Sequence, residues 1–310
     1  MSRKSLIVCL AALAAMIIAI TIGVAVLYSG TGSKRVEYKV ADNSQFMLLP
    51  AVPTDALAIC CFSEPASVLS GVVSDNGFAA SLASSGMGLD NMVVSLHFAG
   101  KVRPLYVFDA GDADKESEIE VRVSGLARSA GLHWESFDCS QLDIDRKIGG
   151  HKIVLVSSSK DIVRSAVRHL KAGESVIGIN DFAMASSAVS GENLMFVSNR
   201  NSHNLLPAFL PGKFARHSDF IRRISDWMVF DISGVDSGRT AFAGKFVSDS
   251  DTPDIMSVFS DCGGAVSSVS EMLPSYTVSV MTLPLKNRTQ FVASYQNFLD
   301  SKQSFPNPRR

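Results

Sequence analysis

An uncharged apolar run of 23 residues, 6–28, lies near the start of the chain and limits what this part can fold into. As an α-helix rising about 1.5 Å per residue it would be about 34 Å long, enough to cross a hydrocarbon core of about 30 Å. The run therefore predicts a single transmembrane signal anchor over residues 6–28, after a cytoplasmic tail of residues 1–5. The lipid bilayer is the first expected partner of the chain.

Two other interpretations of this run fit its surroundings less well. A cleavable signal peptide has an apolar region of about 7 to 15 residues followed by a small-x-small site, but the best such site, residues 23–25, lies inside the run. A lipoprotein would use Cys9 as its lipid-bearing residue, but Val8 is bulky and most of the run follows Cys9. The signal anchor is therefore the preferred interpretation.

The orientation of the anchor follows from the lengths of its two flanks. Basic residues lie on both sides of the run, so the positive-inside rule barely decides between orientations. A five-residue tail crosses a membrane less readily than a long domain is exported, which favours the N-inside orientation. We therefore expect a single-pass protein of the inner (cytoplasmic) membrane with its body in the periplasm or extracytoplasmic space. The flanking basic residues are Arg3, Lys4, Lys34 and Arg35.

The body after the anchor is mildly acidic and large enough to fold on its own core. Residues 36–310 hold 25 basic and 30 acidic residues, a net charge near −5. A nucleic-acid-binding surface would need a basic stripe, so no nucleic-acid partner is expected. A body of this length can bury a substantial hydrophobic core.

Alternating strand and helix patterns predict an α+β fold of mixed, mainly antiparallel sheets with packed helices, divided into two subdomains. The predicted strands are 56–62, 92–98, 105–108, 133–138, 141–148, 152–157, 193–198, 227–232 and 240–247. Predicted helices follow Pro65, carry the apolar stripe of Ile119 to Ala127, and span 160–170, 201–210 and 218–224. Ser158 and Asp161 have capping-box spacing before the 160–170 helix. The expected segments are a tether at 29–45, subdomains at 46–190 and 191–272, a strand-helix segment at 273–302 and a tail at 303–310.

The segment at 273–302 resembles the start of the body. Pro274-Ser275, the strand after it and a helix around Phe291 parallel Pro53-Thr54, the strand after it and a helix around Val68. The segment is therefore predicted either as the start of an internal repeat or as a packing strand and helix. The ending at Arg310 fits both a frayed tail and a longer native chain.

The order of these features carries a family resemblance. After the membrane helix come Pro53-Thr54-Asp55-Ala56, the strand of residues 150–159 with its helix, Asn180-Asp181-Phe182, and the strand 193–199. This order resembles an uncharacterised family of bacterial envelope-anchored proteins known as a domain of unknown function. The resemblance implies a bacterial, envelope-anchored α+β body, and it carries over no catalytic residue.

Two patterns are similar to those around catalytic serines but lack the rest of the machinery. Ser157 and Lys160 satisfy S-x-x-K, but Ser-Asp-Asn and Lys-Thr-Gly are absent and Ser157 ends a predicted strand. We therefore prefer a turn and a helix cap here. A Ser-His-Asp triad stays open, although no G-x-S-x-G elbow supports it. His97 and His169 are expected to be surface or satisfied core residues, and the remaining histidines to lie in loops: His133, His151, His203 and His217.

Metal and cofactor sites are not expected. The acids at 109–116 lack the loop of a calcium site and are explained more simply as acids near a helix N-terminus. Asp249, Asp251 and Asp254 are similarly interpreted as a turn and an N-cap. No phosphate-binding or dinucleotide-binding glycine loop is present. The cysteines lack zinc-site spacing and are expected to be buried free thiols, with one disulfide left open: Cys60, Cys61, Cys139 and Cys262.

One apolar cluster around Pro207, Pro211 and Gly212 suggests a function in binding. It is either a candidate partner-binding patch or a contact that closes the core between the subdomains. The expected function is a membrane-anchored extracytoplasmic binding or scaffold protein with an envelope protein partner. The alternatives are an envelope hydrolase, whose pocket would bring Ser or Asp to a His, and an apolar-ligand carrier with an enclosed cavity. The candidate patch comprises Leu205, Leu206, Phe209, Leu210 and Phe214.

Overall fold

The chain divides into two compact units, Met1–Tyr38 and Lys39–Arg310, and every residue that the structure, a computed structural model, describes belongs to the second. The expected membrane helix at 6–28 therefore lies outside the described residues. Within the described part of the chain, no helix has the length and apolar character needed to cross a bilayer. The described residues are 40, 46–63, 65, 77–89, 91–113, 115, 117–141, 148, 150–202, 223–233, 241–248, 254–259, 262–265, 272–274 and 285–303.

Eight described strands form one antiparallel sheet, which confirms the predicted α+β class with antiparallel pairing. Their order across the sheet is β4-β5-β3-β2-β1-β6-β7-β8. Each described pair of neighbours is antiparallel. The strands are β1 (Ala58–Phe62), β2 (Met92–Ala99), β3 (Lys101–Asp112), β4 (His133–Asp138), β5 (His151–Ser157), β6 (Asn193–Ser198), β7 (Trp227–Ser233) and β8 (Ala241–Val247).

Six described helices accompany the sheet. They are α1 (Gly77–Ser84), α2 (Glu118–Ser129), α3 (Lys160–Ala172), α4 (Asn180–Ser187), α5 (Asn199–Ser202) and α6 (Arg288–Gln303). The predicted helices at 119–127, at 160–170 and around Phe291 are confirmed as α2, α3 and α6. The helix after Pro65 and most of those at 201–210 and 218–224 lie outside the described residues.

The predicted division at residues 190 and 191 falls between two neighbouring strands of the sheet. β1 pairs with β6 along its whole length, from Ala58 opposite Val197 to Phe62 opposite Asn193. The described strands of both expected subdomains therefore belong to one sheet. The predicted repeat at 273–302 is only partly described, since 275–284 lie outside the described residues.

The predicted strand at 141–148 is wrong where the structure describes it. Gln141 ends a 3₁₀ turn, Cys139–Gln141, and β4 pairs directly with β5, from His133 opposite Ser157 to Asp138 opposite Lys152. The Asp138 carboxylate accepts a hydrogen bond from the Ser140 amide at 2.8 Å, which turns the chain out of the sheet.

Helix α3 has the predicted apolar stripe but not the predicted cap. Ser159, not Ser158, is the N-cap residue, and its side chain makes no capping hydrogen bond. The Ser158 hydroxyl instead accepts a hydrogen bond from the Arg103 guanidinium at 3.0 Å. The helix ends at Gly173, whose φ of 68° is a left-handed conformation that favours glycine. The buried stripe comprises Ile162, Val163, Ala166, Val167 and Leu170.

The two faces of the sheet are covered differently. We call the face that bears Ile59 and Val93 the first face; α3, α4 and the segment 46–52 pack on it in one large core. The second face bears Phe62 and Tyr106, and of the described helices α1 and α2 share its smaller core. Successive strand residues alternate between faces, so the vicinal Cys60 and Cys61 lie on opposite faces, as predicted.

The described cysteines are free thiols, which agrees with the preferred prediction. Burial raises the pKa of Cys60 to about 12 and also raises that of Cys61. A thiol with a raised pKa is a poor nucleophile at neutral pH. These residues therefore act as small core side chains.

Candidate functional site

The sequence-predicted binding patch cannot be placed within this fold. Leu205, Leu206, Phe209, Leu210 and Phe214 all lie in residues 203–222, outside the described residues. The patch thus stays a prediction. The structure contains two arrangements that the sequence did not reveal: a series of buried hydrogen bonds and a row of partly exposed apolar side chains.

A buried hydrogen-bond chain joins Ser95, His97 and Asp55. Ser95 and His97 are two residues apart on β2, so both side chains lie on the first face. Ser95 Oγ lies 2.8 Å from His97 Nε2, and His97 Nδ1 lies 3.0 Å from Asp55 Oδ1. Nδ1–H donates to the carboxylate, so Nε2 of a neutral ring accepts the hydroxyl proton of Ser95. The connectivity is that of a Ser-His-Asp triad.

The burial of these three residues runs in the reverse order from that of a working triad. Ser95 is 0% exposed and His97 is 2% exposed, whereas the Asp55 side chain is 68% exposed. A catalytic serine must reach a substrate, while the carboxylate behind the histidine is the buried member. Here the hydroxyl lies deepest. This series of hydrogen bonds therefore fastens the segment before β1 onto the sheet and does not present a nucleophile.

The electrostatics of Asp55 fit this fastening role. The hydrogen bond from His97 is the largest influence on the pKa of Asp55, which lies below its ordinary value of 3.8. Burial acts in the opposite direction, and electrostatic interactions with His97 and with His169 on α3 lower the pKa of Asp55 further. Asp55 is therefore ionised through the neutral range.

The predicted S-x-x-K motif is structural. Ser157 ends β5, is 0% exposed and donates from Oγ to the Pro104 carbonyl at 2.7 Å. Lys160 begins α3 and is exposed. A nucleophilic serine would need an open hydroxyl, whereas Ser157 ends a strand as predicted and is buried. The helix-cap hydrogen bond that we also expected is not made by Ser159.

Other described histidines and acids make separate local contacts, and His133 and His151 begin β4 and β5 instead of lying in loops as predicted. His151 Nδ1 lies 3.0 Å from Asp109 Oδ1, which also accepts the Gly111 amide at 2.8 Å. Asp112 belongs to β3 and pairs with Lys115, so it is not in the first turn of α2 as expected. Asp254 caps the 3₁₀ turn at Ser257–Phe259. Among the described residues, no group of histidine, cysteine and acidic side chains could hold a metal ion.

A row of apolar side chains crosses the second face without being fully covered. The register places Leu96, Ala58, Val197, Met228 and Phe246 side by side across β2, β1, β6, β7 and β8. Each of these five residues is at least partly exposed, and Phe246 is 48% exposed. We call these five residues the apolar row.

Two further phenylalanines extend the apolar row. Phe98, two residues beyond Leu96 on β2, is 49% exposed, and Phe242, on the same face of β8 as Phe246, is 51% exposed. Side chains of this size are normally buried or scattered singly on a surface. Their arrangement on one sheet face indicates a contact surface for another apolar body.

Aromatic packing holds the β7–β8 end of this surface in place. The Phe230 ring lies over Gly244, where an added Cβ would come within 2.5 Å of the ring. Phe230 also meets Phe242 edge to face, with ring centroids 6.4 Å apart. Gly244 is therefore required by a side-chain contact and not by a turn.

A small polar cleft lies at the strand ends in the middle of the sheet, where β1 begins and β6 ends. It has a volume of about 250 Å³. Asn201 beside it donates from Nδ2 to the carbonyls of Thr54 and Ala56, at 3.0 and 2.9 Å. The cleft brings the Pro53 to Ala56 and Asn180 to Phe182 segments together. Its lining includes Thr54, Asp181, Ser198, Arg200, Asp226 and Trp227.

Comparison with known proteins gives no further assignment. No family model matches the chain, and no curated protein and no solved structure shows significant similarity to it. The resemblance to an envelope family of unknown function stays a prediction.

Proposed function

We propose that this chain is a membrane-anchored, extracytoplasmic binding or scaffold protein of the bacterial cell envelope. The apolar row, with Phe98 and Phe242, is its binding surface and takes an apolar surface of another envelope protein. The expected anchor at residues 6–28 attaches the chain to the membrane. The observation that carries the proposal is the exposure of apolar side chains from five neighbouring strands on one face.

The energetics support a contact of this kind. Covering a large apolar side chain contributes about 1.5 to 3 kcal/mol, and Phe98, Phe242 and Phe246 each keep about half of their surface exposed. Aromatic residues are enriched among the residues that dominate protein interfaces. A partner that covers all three therefore gains free energy that the isolated fold leaves unused.

The two rival functions find weaker support among the described residues. A hydrolase needs an accessible nucleophile, whereas Ser95 and Ser157 are fully buried. An apolar-ligand carrier needs an enclosed pocket of about 300 to 1,000 Å³. Two clefts that described residues line are smaller, about 250 and 260 Å³, and both have charged as well as apolar residues in their lining.

The test is crosslinking of the full-length protein in cells, followed by purification and mass spectrometry. We expect an envelope protein at near-equal amount, and a loss of about tenfold or more in its recovery from the Phe98→Ser, Phe246→Ser double variant. Val121→Ser is the matched control, since Val121 is 60% exposed on α2 and does not belong to the apolar row. Its recovery of the partner should equal that of the unsubstituted chain.

Two results would contradict this proposal. Equal recovery of the partner from all three chains would show that the apolar row is not the binding surface. Absence of any protein partner together with hydrolysis of a probe, or a copurifying apolar small molecule, would favour the hydrolase or the carrier.

A further inference from the structure

We propose that two copies of this chain pair through β8, edge to edge and antiparallel, in a register centred on Gly244. This inference rests on the proposed function, because it explains how the binding surface is enlarged. The occupant of the β8 edge is thus a second copy of the chain.

Among the described strands, β8 is a long and exposed edge of the sheet. It is the last strand in the described order of the sheet, and its residues from Phe242 to Phe246 are all exposed. An edge strand presents unpaired backbone N–H and C=O groups to which another strand can add. Seven residues, Ala241–Val247, are available for such pairing.

The sequence of β8 is complementary to itself. In an antiparallel pair centred on Gly244, Phe242 of each copy lies opposite Phe246 of the other, so two aromatic pairs form on one face. Cross-strand aromatic pairs contribute favourably to sheet stability. Ala243 and Gly244, at the centre, are small and leave room for the backbones to approach. A two-fold axis through this point makes the same patch serve both copies, as an isologous dimer requires.

The lysine of β8, Lys245, makes a hydrogen bond on the first face of the sheet. Lysine on an edge strand commonly prevents strand addition, and β8 carries Lys245. Its Nζ donates to the Ala188 carbonyl at 2.7 Å, on the first face behind α4. The second face of β8 consequently presents Phe242 and Phe246 without a charged side chain between them.

Pairing in this register joins the two binding surfaces. Directly opposite residues of antiparallel strands point to the same face, so the second faces of both copies lie on one side of the joined sheet. The apolar row of one copy then continues into that of the other. Anchors in one membrane, as expected from residues 6–28, raise the effective concentration of the two copies.

The experiment tests the register directly in the full-length protein in detergent. Copies with Phe242→Cys and copies with Phe246→Cys, carrying different tags, are mixed and oxidised. Opposite residues lie about 4.5 to 5.5 Å apart, within the Cα separation that a disulfide spans. The mixed pair should give at least about tenfold more crosslinked dimer than either variant alone, in which the cysteines are about 13 Å apart along the strand.

Three controls accompany this measurement. The unsubstituted chain corrects for native thiols, and Val121→Cys tests an exposed site on α2. Unchanged circular dichroism of both β8 variants shows that they are folded. A second variant, Phe242→Lys with Phe246→Lys, places like charges opposite each other and should remove the dimer in sedimentation.

The outcomes separate this inference from the proposed function. Equal crosslinking in all mixtures, or none in the mixed pair, overturns the β8 dimer. The proposed function is then tested separately, by the recovery of the partner from the Phe98→Ser, Phe246→Ser variant. A register-specific crosslink without any other envelope partner supports the dimer and overturns the wider scaffold.

Discussion

Asp55 shows how a single exposed carboxylate can fasten a segment of chain to a sheet. Its hydrogen bond with His97 ties residues 53–57 to β2, and His97 is held in turn by Ser95. A buried imidazole needs partners at both ring nitrogens. The sequence left His97 as either a surface residue or a satisfied core residue, and the structure shows the second. The sequence could not show that Asp55 is a partner of His97, because the two residues are 42 positions apart.

The pH dependence of stability should report the Asp55 contact. Because the folded-state pKa of Asp55 is lowered, its contribution is present above the unfolded-state value of 3.8 and is lost as pH falls through the folded-state pKa. Asp55→Asn should therefore lower the free energy of unfolding at pH 5 to 7. The difference in this free energy between the variant and the unsubstituted chain, the gap, should narrow below about pH 4. Chemical denaturation across this pH range measures the gap.

The control for this prediction is Glu192→Gln. Glu192 is exposed, and its described hydrogen bond, from Ser63, uses its backbone carbonyl. This variant removes one negative charge while leaving the contact between Asp55 and His97 intact. If the difference in free energy of unfolding for Asp55→Asn varies with pH no more than that for Glu192→Gln, the contact does not act through the carboxylate charge.

Ser95 should be chemically silent in spite of its triad connectivity. A fluorophosphonate probe reacts with activated serines that a substrate can reach, and Ser95 is 0% exposed. We expect mass spectrometry to find no adduct on Ser95 in the folded full-length protein. An adduct that forms in the folded protein and disappears in Ser95→Ala would support the hydrolase.

At the scale of elements, side-chain contacts decided details that local sequence patterns did not. Ser158 has the spacing of a helix cap, yet its hydroxyl accepts from Arg103 on the neighbouring β3. Helices α1 and α4 were missed, because their sequences are rich in Ala, Ser and Gly or lack a clear apolar period. Capping and periodicity signals are local, and tertiary partners override them.

Gly244 provides a stability prediction for the β7–β8 hairpin. Gly244→Ala should lower the free energy of unfolding by about 1 to 3 kcal/mol, as overpacking commonly does, because the new Cβ would meet the Phe230 ring. Gly125→Ala is the matched control: its Cβ meets nothing within 4 Å inside α2, so it should stabilise by about 0.5 to 1 kcal/mol. Urea denaturation measures both. Equal effects would refute the Phe230 contact.

At the scale of the whole molecule, described strands on both sides of the predicted subdomain boundary pair within one sheet. Phe196 on β6 packs against both Phe46 and Phe182, with ring centroids 6.1 and 5.0 Å apart. These residues precede and follow the expected boundary at 190. A shared core of this kind favours cooperative unfolding.

The two tryptophans test this cooperativity. Trp134 lies on β4 and Trp227 on β7, toward opposite edges of the sheet, and the chain contains 2 tryptophans. In Trp134→Phe and in Trp227→Phe, the remaining fluorescence transition should coincide with the circular-dichroism transition of the same variant. Separate midpoints would restore the two-subdomain division.

The sequence alone determined the α+β fold class of this protein and the positions of most of its described strands. Alternation and turn residues depend on neighbours a few positions apart, so the β2–β3 and β7–β8 hairpins, β4 and α3 were predictable. The net charge and the absence of catalytic motifs likewise follow from composition and spacing. The expected anchor at 6–28 and the patch at 205–214 stay predictions from the same source.

Only the tertiary structure decided which apolar residues are covered. β7 and β8 carry apolar residues on both faces, so their sequence could not show that α4 packs on the first face of β7 while Met228 and Phe246 stay partly exposed on the second. The Ser95–His97–Asp55 chain and the apolar row each combine residues from distant positions. Their geometry depends on strand order and register, because hydrogen bonds across a sheet bring together residues that no local pattern connects.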